Sequence, residues 1–263
     1  MDRHIIKQAF EKKGYDFSGK YIPYKFDMQE YMSRYDVVFR TPMKQAFEAL
    51  PIGNGDVAAM IWNTDECLCM QINKCDLWSQ PDGESPLLLR SAARVKIDFG
   101  MPCFDYLYLD DFDSRLCISN AEAKFYSSAP FAEISAAAYA DMDRNLIVVE
   151  LESKTGDFST IRISLERYGS RSYAGWYHSL YKGAEKGLGM AKTGVRDDTV
   201  WMLERFDGTG SLSCAVAMTV LEPGAVIKNI NGRRTEFTVD SDGYRKVTVL
   251  ISAASSHESD DPL

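Results

Sequence analysis

Ile161, Ile163 and Leu165 alternate with Arg162, Ser164 and Glu166. A period of two is satisfied only by an extended strand with one buried and one wet face. The same alternation returns at Leu116 and Ile118, and again at Val247, Val249 and Ile251. Two further runs, NLIVVELE at 145–152 and SCAVAMTVL at 213–221, are apolar on both faces, as befits strands enclosed between two sheets. Turn signals separate the runs: Asn63-Thr64-Asp65, Asp143-Arg144-Asn145, Thr155-Gly156-Asp157 and Ser241-Asp242-Gly243. Strands do not alternate with helical patterns, and no internal repeat appears. The pattern predicts an all-β sandwich or barrel of roughly a dozen or more antiparallel strands.

The rhythm sets the boundaries. Residues 1–34 form an N-terminal extension in which 4–13 predict a short amphipathic helix ended by Gly14. The β domain runs over 35–256, with Tyr35 to Arg40 as its first strand, stopped by Thr41-Pro42. Within it, 168–198 is a Gly-rich stretch with no clear strand, carrying Tyr173, Trp176, Tyr177, His178 and Tyr181. Long structureless loops in compact domains tend to be functional or disordered. This many aromatic residues predicts an ordered loop, packed on a partner or capping an end of the sandwich. Residues 257–263 read as a polar, acidic linker or tail.

Composition narrows the function. With 263 residues, 45% of them hydrophobic, the chain can bury a substantial core. A net charge of −8 with scattered Lys and Arg argues against nucleic-acid or anionic-membrane partners, which need a basic face. The charged N-terminus lacks a signal-like apolar core and no segment reaches spanning length, so the expectation is a soluble, cytoplasmic chain. The six cysteines fit free, mostly buried thiols. Cys67 and Cys69 form a C-x-C, but His4, His178 and His257 lie far away in sequence and there is no C-x-x-C, so no metal is expected. Phosphate-loop, dinucleotide and hydrolase-elbow motifs are absent, and no cofactor is expected.

Three places invite chemistry. Asp110, Asp111 and Asp113 resemble the start of a calcium loop but lack its glycine and closing glutamate, so an exposed acidic turn is expected. His178 is the sole histidine in the body of the β domain. It is either a surface residue of its loop or the partner of a carboxylate in mutarotase-like chemistry. Trp78 stands where an apolar strand enters a turn, offering a flat face to a sugar with Asn73 and Asp76 nearby, or plugging the end of a sandwich.

The order of the pieces carries more than any one of them. FEALPIGNGDVAAMIW, followed by MQINKCDLWS and then ARVKIDFG, resembles the N-terminal β domain of glycoside hydrolase family 95 α-L-fucosidases. That family's pattern runs W-x-E-A-L-P-I-G-N-G-R-L-G-A-M, then Q-L-N-E-D-T-L-W-S-G-G-P. Glu48 to Gly55 match it, and Ala59, Met60, Gln71, Asn73, Leu77, Trp78 and Ser79 fall in register. Asp56-Val57-Ala58 stands in place of Arg-Leu-Gly, and Lys74-Cys75 in place of Glu-Asp. The resemblance implies a galactose-mutarotase-like supersandwich, non-catalytic, that packs against a catalytic α/α barrel carrying the acid and base. That barrel is not in this chain, so the chain alone is expected to be inactive and no catalytic residue is assigned. Asn54, Asp56, Asn73, Asp76, Trp78, Trp176 and His178 are the candidates for the border of a sugar site or the barrel interface. The alternatives are a stand-alone carbohydrate-binding module, with oligosaccharide as its partner, and a mutarotase-like epimerase.

Overall fold

The structure is a computed structural model that describes residues 27–79, 88–155, 160–167, 190–206, 212–222, 224–231, 234–240, 244–258 and 262. The chain divides into two compact units, Met1–Tyr35 and Asp36–Leu263. The first contains helix α1, Met28–Ser33, whose N-cap Asp27 accepts from the backbone N–H groups of Gln29 (2.8 Å) and Glu30 (3.1 Å). The helix expected at 4–13 lies outside the described residues.

Among its described residues the second unit is β apart from one 3-10 turn, Ala46–Glu48. In chain order its first eight strands are β1 (Val37–Phe39), β2 (Leu50–Gly53), β3 (Val57–Asn63), β4 (Cys67–Ser79), β5 (Leu88–Asp98), β6 (Asp111–Cys117), β7 (Glu122–Ala129) and β8 (Ala132–Asp141). They are followed by β9 (Leu146–Thr155), β10 (Thr160–Glu166), β11 (Met190–Arg196), β12 (Thr199–Arg205), β13 (Ser213–Leu221), β14 (Val226–Asn231), β15 (Arg234–Asp240) and β16 (Tyr244–Ser255). A nine-stranded sheet has the order β1-β6-β7-β8-β9-β16-β13-β12-β11, and a seven-stranded sheet the order β14-β15-β10-β5-β4-β3-β2. Adjacent strands run antiparallel in both, as expected for an all-β sandwich.

The period-two pattern becomes rows of side chains between the sheets. Phe237, Ile163, Ile97 and Leu68 stand side by side across β15, β10, β5 and β4, all buried. Opposite them, β9 and β16 turn Ile147, Val149, Leu151, Val247, Val249 and Ile251 inward. Burying each such side chain contributes about 1.5–3 kcal/mol. The doubly apolar runs are the central strands β9 and β13, where Val148 and Ala215 are buried on the outer face as well. Pro51 sits in β2, at one edge of the seven-stranded sheet, where a missing N–H breaks no inner ladder.

Several expectations are adjusted. The stretch 168–198 is not strandless: β11 occupies its end, masked in sequence by Gly194, while residues 168–189 lie outside the described residues. Asp111 and Asp113 belong to strand β6 instead of a turn, and Asp113 is ion-paired with Arg40. The six cysteines are free, all buried except Cys75, and burial pushes the thiols of Cys69, Cys103 and Cys214 up to about 12. Among the described residues no helix is long and apolar enough to cross a membrane, and no cluster suits a metal ion.

Candidate functional site

Five of the candidate residues lie at or near one end of the sandwich, around the turn joining β2 to β3. Gly55 takes φ +95°, a left-handed conformation costly for other residues, and a Cβ on Gly53 would meet Ala58 Cβ and Val57 O at 3.1 Å. Asn54 closes the turn. Its Oδ1 accepts from the N–H groups of Asp56 and Val57, both at 3.0 Å, and its own N–H donates to Val57 O at 3.2 Å. Its Nδ2 reaches the other sheet, donating to Asp141 O (2.8 Å) and Asn145 Oδ1 (3.0 Å) in the β8–β9 turn. Asn54 is thus a cross-sheet tie whose amide is fully engaged.

The turn presents Asp56 to Lys74. Strand β4 is irregular here: Asn73 pairs with Ser91 and Trp78 with Leu89, so Lys74 to Leu77 oppose Arg90 alone on β5. Extra residues on one strand bulge and re-aim their side chains. Cys75 N–H closes the bulge onto Asp56 O at 2.9 Å. Lys74 points inward, and its side chain is only 1% exposed. Its ammonium meets Asp56 Oδ1 at 2.5 Å, Glu258 Oε1 at 2.9 Å and Asp76 Oδ2 at 3.7 Å. The carboxylates are held in turn. Asn145 Nδ2 and the Cys75 thiol (3.3 Å) donate to Asp56, Ser255 Oγ donates to Asp76 Oδ2 at 2.5 Å, and Ser255 N–H donates to Glu258 Oε2 at 3.1 Å. Burial alone lowers a lysine pKa. Here the hydrogen bonds to Asp56 and Glu258, with Asp76 nearby, outweigh it and raise the ammonium above its ordinary value. The Lys74 hydrogen bond also holds Asp56 below the usual carboxylate range.

Trp78 leaves the bulge with its indole N–H donating to Cys75 O at 2.8 Å and 47% of its surface exposed. Asn73 sits one position before Lys74 and so faces the opposite side of β4, where its Oδ1 accepts from Gln71 Nε2 at 3.2 Å. Asn54, Asp56 and Asp76 therefore converge on the hub around Lys74, Trp78 lies beside it, and Asn73 turns away. Trp176 and His178 lie outside the described residues. Lys74, Asn145, Ser255 and Glu258 were not among the sequence candidates. The one signal for Lys74 is a cation in the otherwise apolar inward row of CLCMQINKCDLW.

A second ionic group lies at the same end, where β10 and β12 finish and β5 begins. Glu204 Oε1 meets Arg167 Nη2 at 2.6 Å, with both side chains nearly buried, and Arg90 lies over the Phe206 ring at 5.9 Å. Burial outweighs the attraction of Arg167 and Arg90 and pushes Glu204 up to about 7. Taken together the end offers fixed charges, an exposed indole and a thiol that burial and Asp56 push above its ordinary value. Lys74, permanently protonated and enclosed, is neither a base nor a nucleophile. Among the described residues of this end, the one thiol hydrogen-bonded to a carboxylate is Cys75, on Asp56. Lys74 holds that carboxylate low while the thiol is pushed up, so the pair is not an activated nucleophile.

Much of this end lies within the stretch that a family model matches. The sequence profile of DUF5703_N, a domain of unknown function (DUF5703), matches residues 38–202. The chain belongs to the DUF5703_N family. The matched stretch includes Asn54, Asp56, Lys74, Asp76, Trp78 and Asn145, and stops short of Ser255 and Glu258. No curated protein matches the chain. Among solved structures, one described as a kojibiose phosphorylase from the human microbiome superposes with a TM-score of 0.52 at 12% identity. It covers 85% of this chain and 33% of its own. A family GH92 α-mannosidase of Bacteroides thetaiotaomicron gives 0.32 at 8% identity, over 78% of this chain and 31% of that one. At 12% identity the first likeness is one of fold. The chain spans about a third of the length of these proteins.

Proposed function

We propose that the chain is the non-catalytic β domain of a carbohydrate-active enzyme of the glycoside-hydrolase kind. It packs against a catalytic α/α barrel, and the end bearing Asp56, Asp76 and Trp78 borders the sugar site. The observation that carries this reading is the superposition over 85% of this chain on only 33% of a kojibiose phosphorylase. A unit of this fold there forms one part of a larger carbohydrate enzyme. The finer reading, an α-L-fucosidase-like parent, rests on EALPIGNG and QINKCDLWS. At two positions where the chain departs from that pattern, Asp56 in place of Arg and Lys74 in place of Glu, the two side chains pair with each other.

The experiment is turnover by the purified chain. Aryl α-L-fucoside, α-glucoside and α-mannoside, and kojibiose with phosphate, are expected to survive unchanged. Turnover by the chain alone overturns the reading. A second reading, a carbohydrate-binding module, is favoured by the exposed, tethered indole of Trp78, because a fixed aromatic face is what a sugar ring stacks on. Quenching of tryptophan fluorescence by L-fucose or kojibiose, lost in Trp78→Ala, supports it. A flat titration removes it.

A further inference from the structure

The outer face of the nine-stranded sheet carries a trough remote from the residues of the Lys74 hub. Because its strands are antiparallel and in register, the lining reads row by row. One row, across β6, β7, β8, β9 and β16, is Asp113, Tyr126, Ser135, Glu152 and Lys246. Two residues further along, the next row is Arg115, Lys124, Ala137, Glu150 and Thr248. Strand β8 therefore sets two small side chains, Ser135 and Ala137, between a wall of Tyr126 and Lys124 and a wall of Glu150 and Glu152. Along β8 the gap is bounded by the larger Glu133 and Tyr139. Strands lie about 4.8 Å apart, so the walls stand about 10 Å from each other. The space is about 360 Å³, within the range of small-ligand sites.

The charges of the walls are largely spoken for. Lys246 meets Glu152 at 3.0 Å, Lys124 meets Glu122 at 3.1 Å, and Asp113 is paired with Arg40. These pairs stiffen the walls and cancel one another. Glu150 makes no ion pair among the described residues and is exposed beside the small floor. What remains for a ligand is the Glu150 carboxylate, the Ser135 hydroxyl, the half-buried ring of Tyr126 and the N–H donors of Lys124 that Glu122 does not take. An anion would face the carboxylates of Asp113, Glu150 and Glu152. An apolar ligand would strand them without hydrogen bonds. A neutral polyol matches the set: its hydroxyls donate to carboxylate oxygens, its oxygens accept from Ser135 and Lys124, and its C–H face lies against Tyr126.

We propose that this trough binds a neutral saccharide, with one ring seated over Ser135 and Ala137 between Tyr126 and Glu150. The site is separate from the Trp78 end. The choice of a saccharide among neutral polyols rests in part on the function proposed above, whereas the shape and lining of the trough do not.

The test is titration of the purified chain, followed by calorimetry and by amide NMR, with maltose, cellobiose and lactose. Glucuronate and glucosamine serve as charged comparators. At least one neutral disaccharide is expected to bind with a dissociation constant on the order of 1 mM and to shift amides of β7, β8 and β9. Tyr126→Ala and Glu150→Gln are each expected to weaken binding about tenfold. Ala137→Leu fills the floor and is expected to abolish binding with an unchanged melting temperature. If that variant melts early, Ser135→Gln fills the other half of the floor and takes its place. The proposal is overturned if no neutral sugar binds, if only a comparator binds, or if the trough variants leave affinity unchanged. Binding removed by Trp78→Ala alone also overturns it, while supporting a sugar site at the other location. Turnover of glycosides by the chain would sink the function proposed above without touching this result.

Discussion

Lys74 carries the largest electrostatic burden of any single side chain described. A buried ammonium is tolerated only while its carboxylates surround it, and removing it leaves Asp56, Asp76 and Glu258 facing one another. Lys74→Met is expected to cost about 3 kcal/mol, read from urea unfolding, the range found when one partner of a buried ion pair is lost. The same contact sets an acid limb. Asp56 titrates lower in the folded chain than its ordinary 3.8, so its contribution is complete above that value and is lost as pH falls through the lower folded one. Lys74→Met should flatten that limb; an unchanged acid profile would show that the pair does not act as argued. Glu204 works in the opposite direction. Its folded pKa of about 7 lies above the ordinary 4.5, so stability is greatest below 4.5 and declines as pH rises to about 7. At about 1.4 kcal/mol per pH unit, the decline is on the order of 3 kcal/mol. Glu204→Gln should remove that slope in unfolding measurements between pH 4.5 and 8. The turns at Asn63-Thr64-Asp65 and Asp143-Arg144-Asn145, which join β3 to β4 and β8 to β9, were legible in the sequence, because a turn is made by neighbours. The hub was not, because Asn145, Ser255 and Glu258 reach Asp56, Asp76 and Lys74 only after two sheets have closed.

Strands were legible where one face is wet and alternation survives, as in β10 and β16. They were harder to read where the pattern is interrupted for a packing reason, and β11 is the case in point. Gly194 pairs with Trp201 on β12, and a Cβ there would overlap the indole itself. A glycine in a strand usually weakens it, but here it makes room for the largest side chain of the neighbouring strand. Gly194→Ala is expected to push the ring aside and cost about 1–3 kcal/mol, the usual toll of overpacking, with a shift in tryptophan emission. A variant that melts like the parent would mean that the ring has somewhere else to go. The bulge in β4 was also hidden. KCDLW reads as a continuation of the strand, yet Lys74 to Leu77 stand against the single residue Arg90. That local surplus gives Trp78 its aim, whereas Lys74 keeps the inward place set by its register with Val57 on β3.

At the scale of the whole molecule, the consequence lies in where the last strand sits. β16 is laid between β9 and β13, in the middle of the nine-stranded sheet, so strands made early wait for the final segment before the sheet is continuous. Its inward residues Val247, Val249 and Ile251 are fully buried, and the turn after it supplies Glu258 to Lys74. Such long-range pairing makes folding slow, because loop closure must be met before the contacts reward it. A graded truncation separates the contributions. A chain ending at 258 keeps the sheet and the hub and should melt like the parent. A chain ending at 255 keeps the sheet but loses the Glu258 contact. It should melt a few degrees lower, since about 1 kcal/mol shifts a domain of this size by roughly 2–4 °C. A chain ending at 243 leaves β9 and β13 with unpaired edges and an open inner face, and should show no cooperative transition by calorimetry. If that shortest chain melts as sharply as the parent, β16 is an addition to a sheet that closes without it, and the hub is a late ornament instead of the clasp that joins the two sheets.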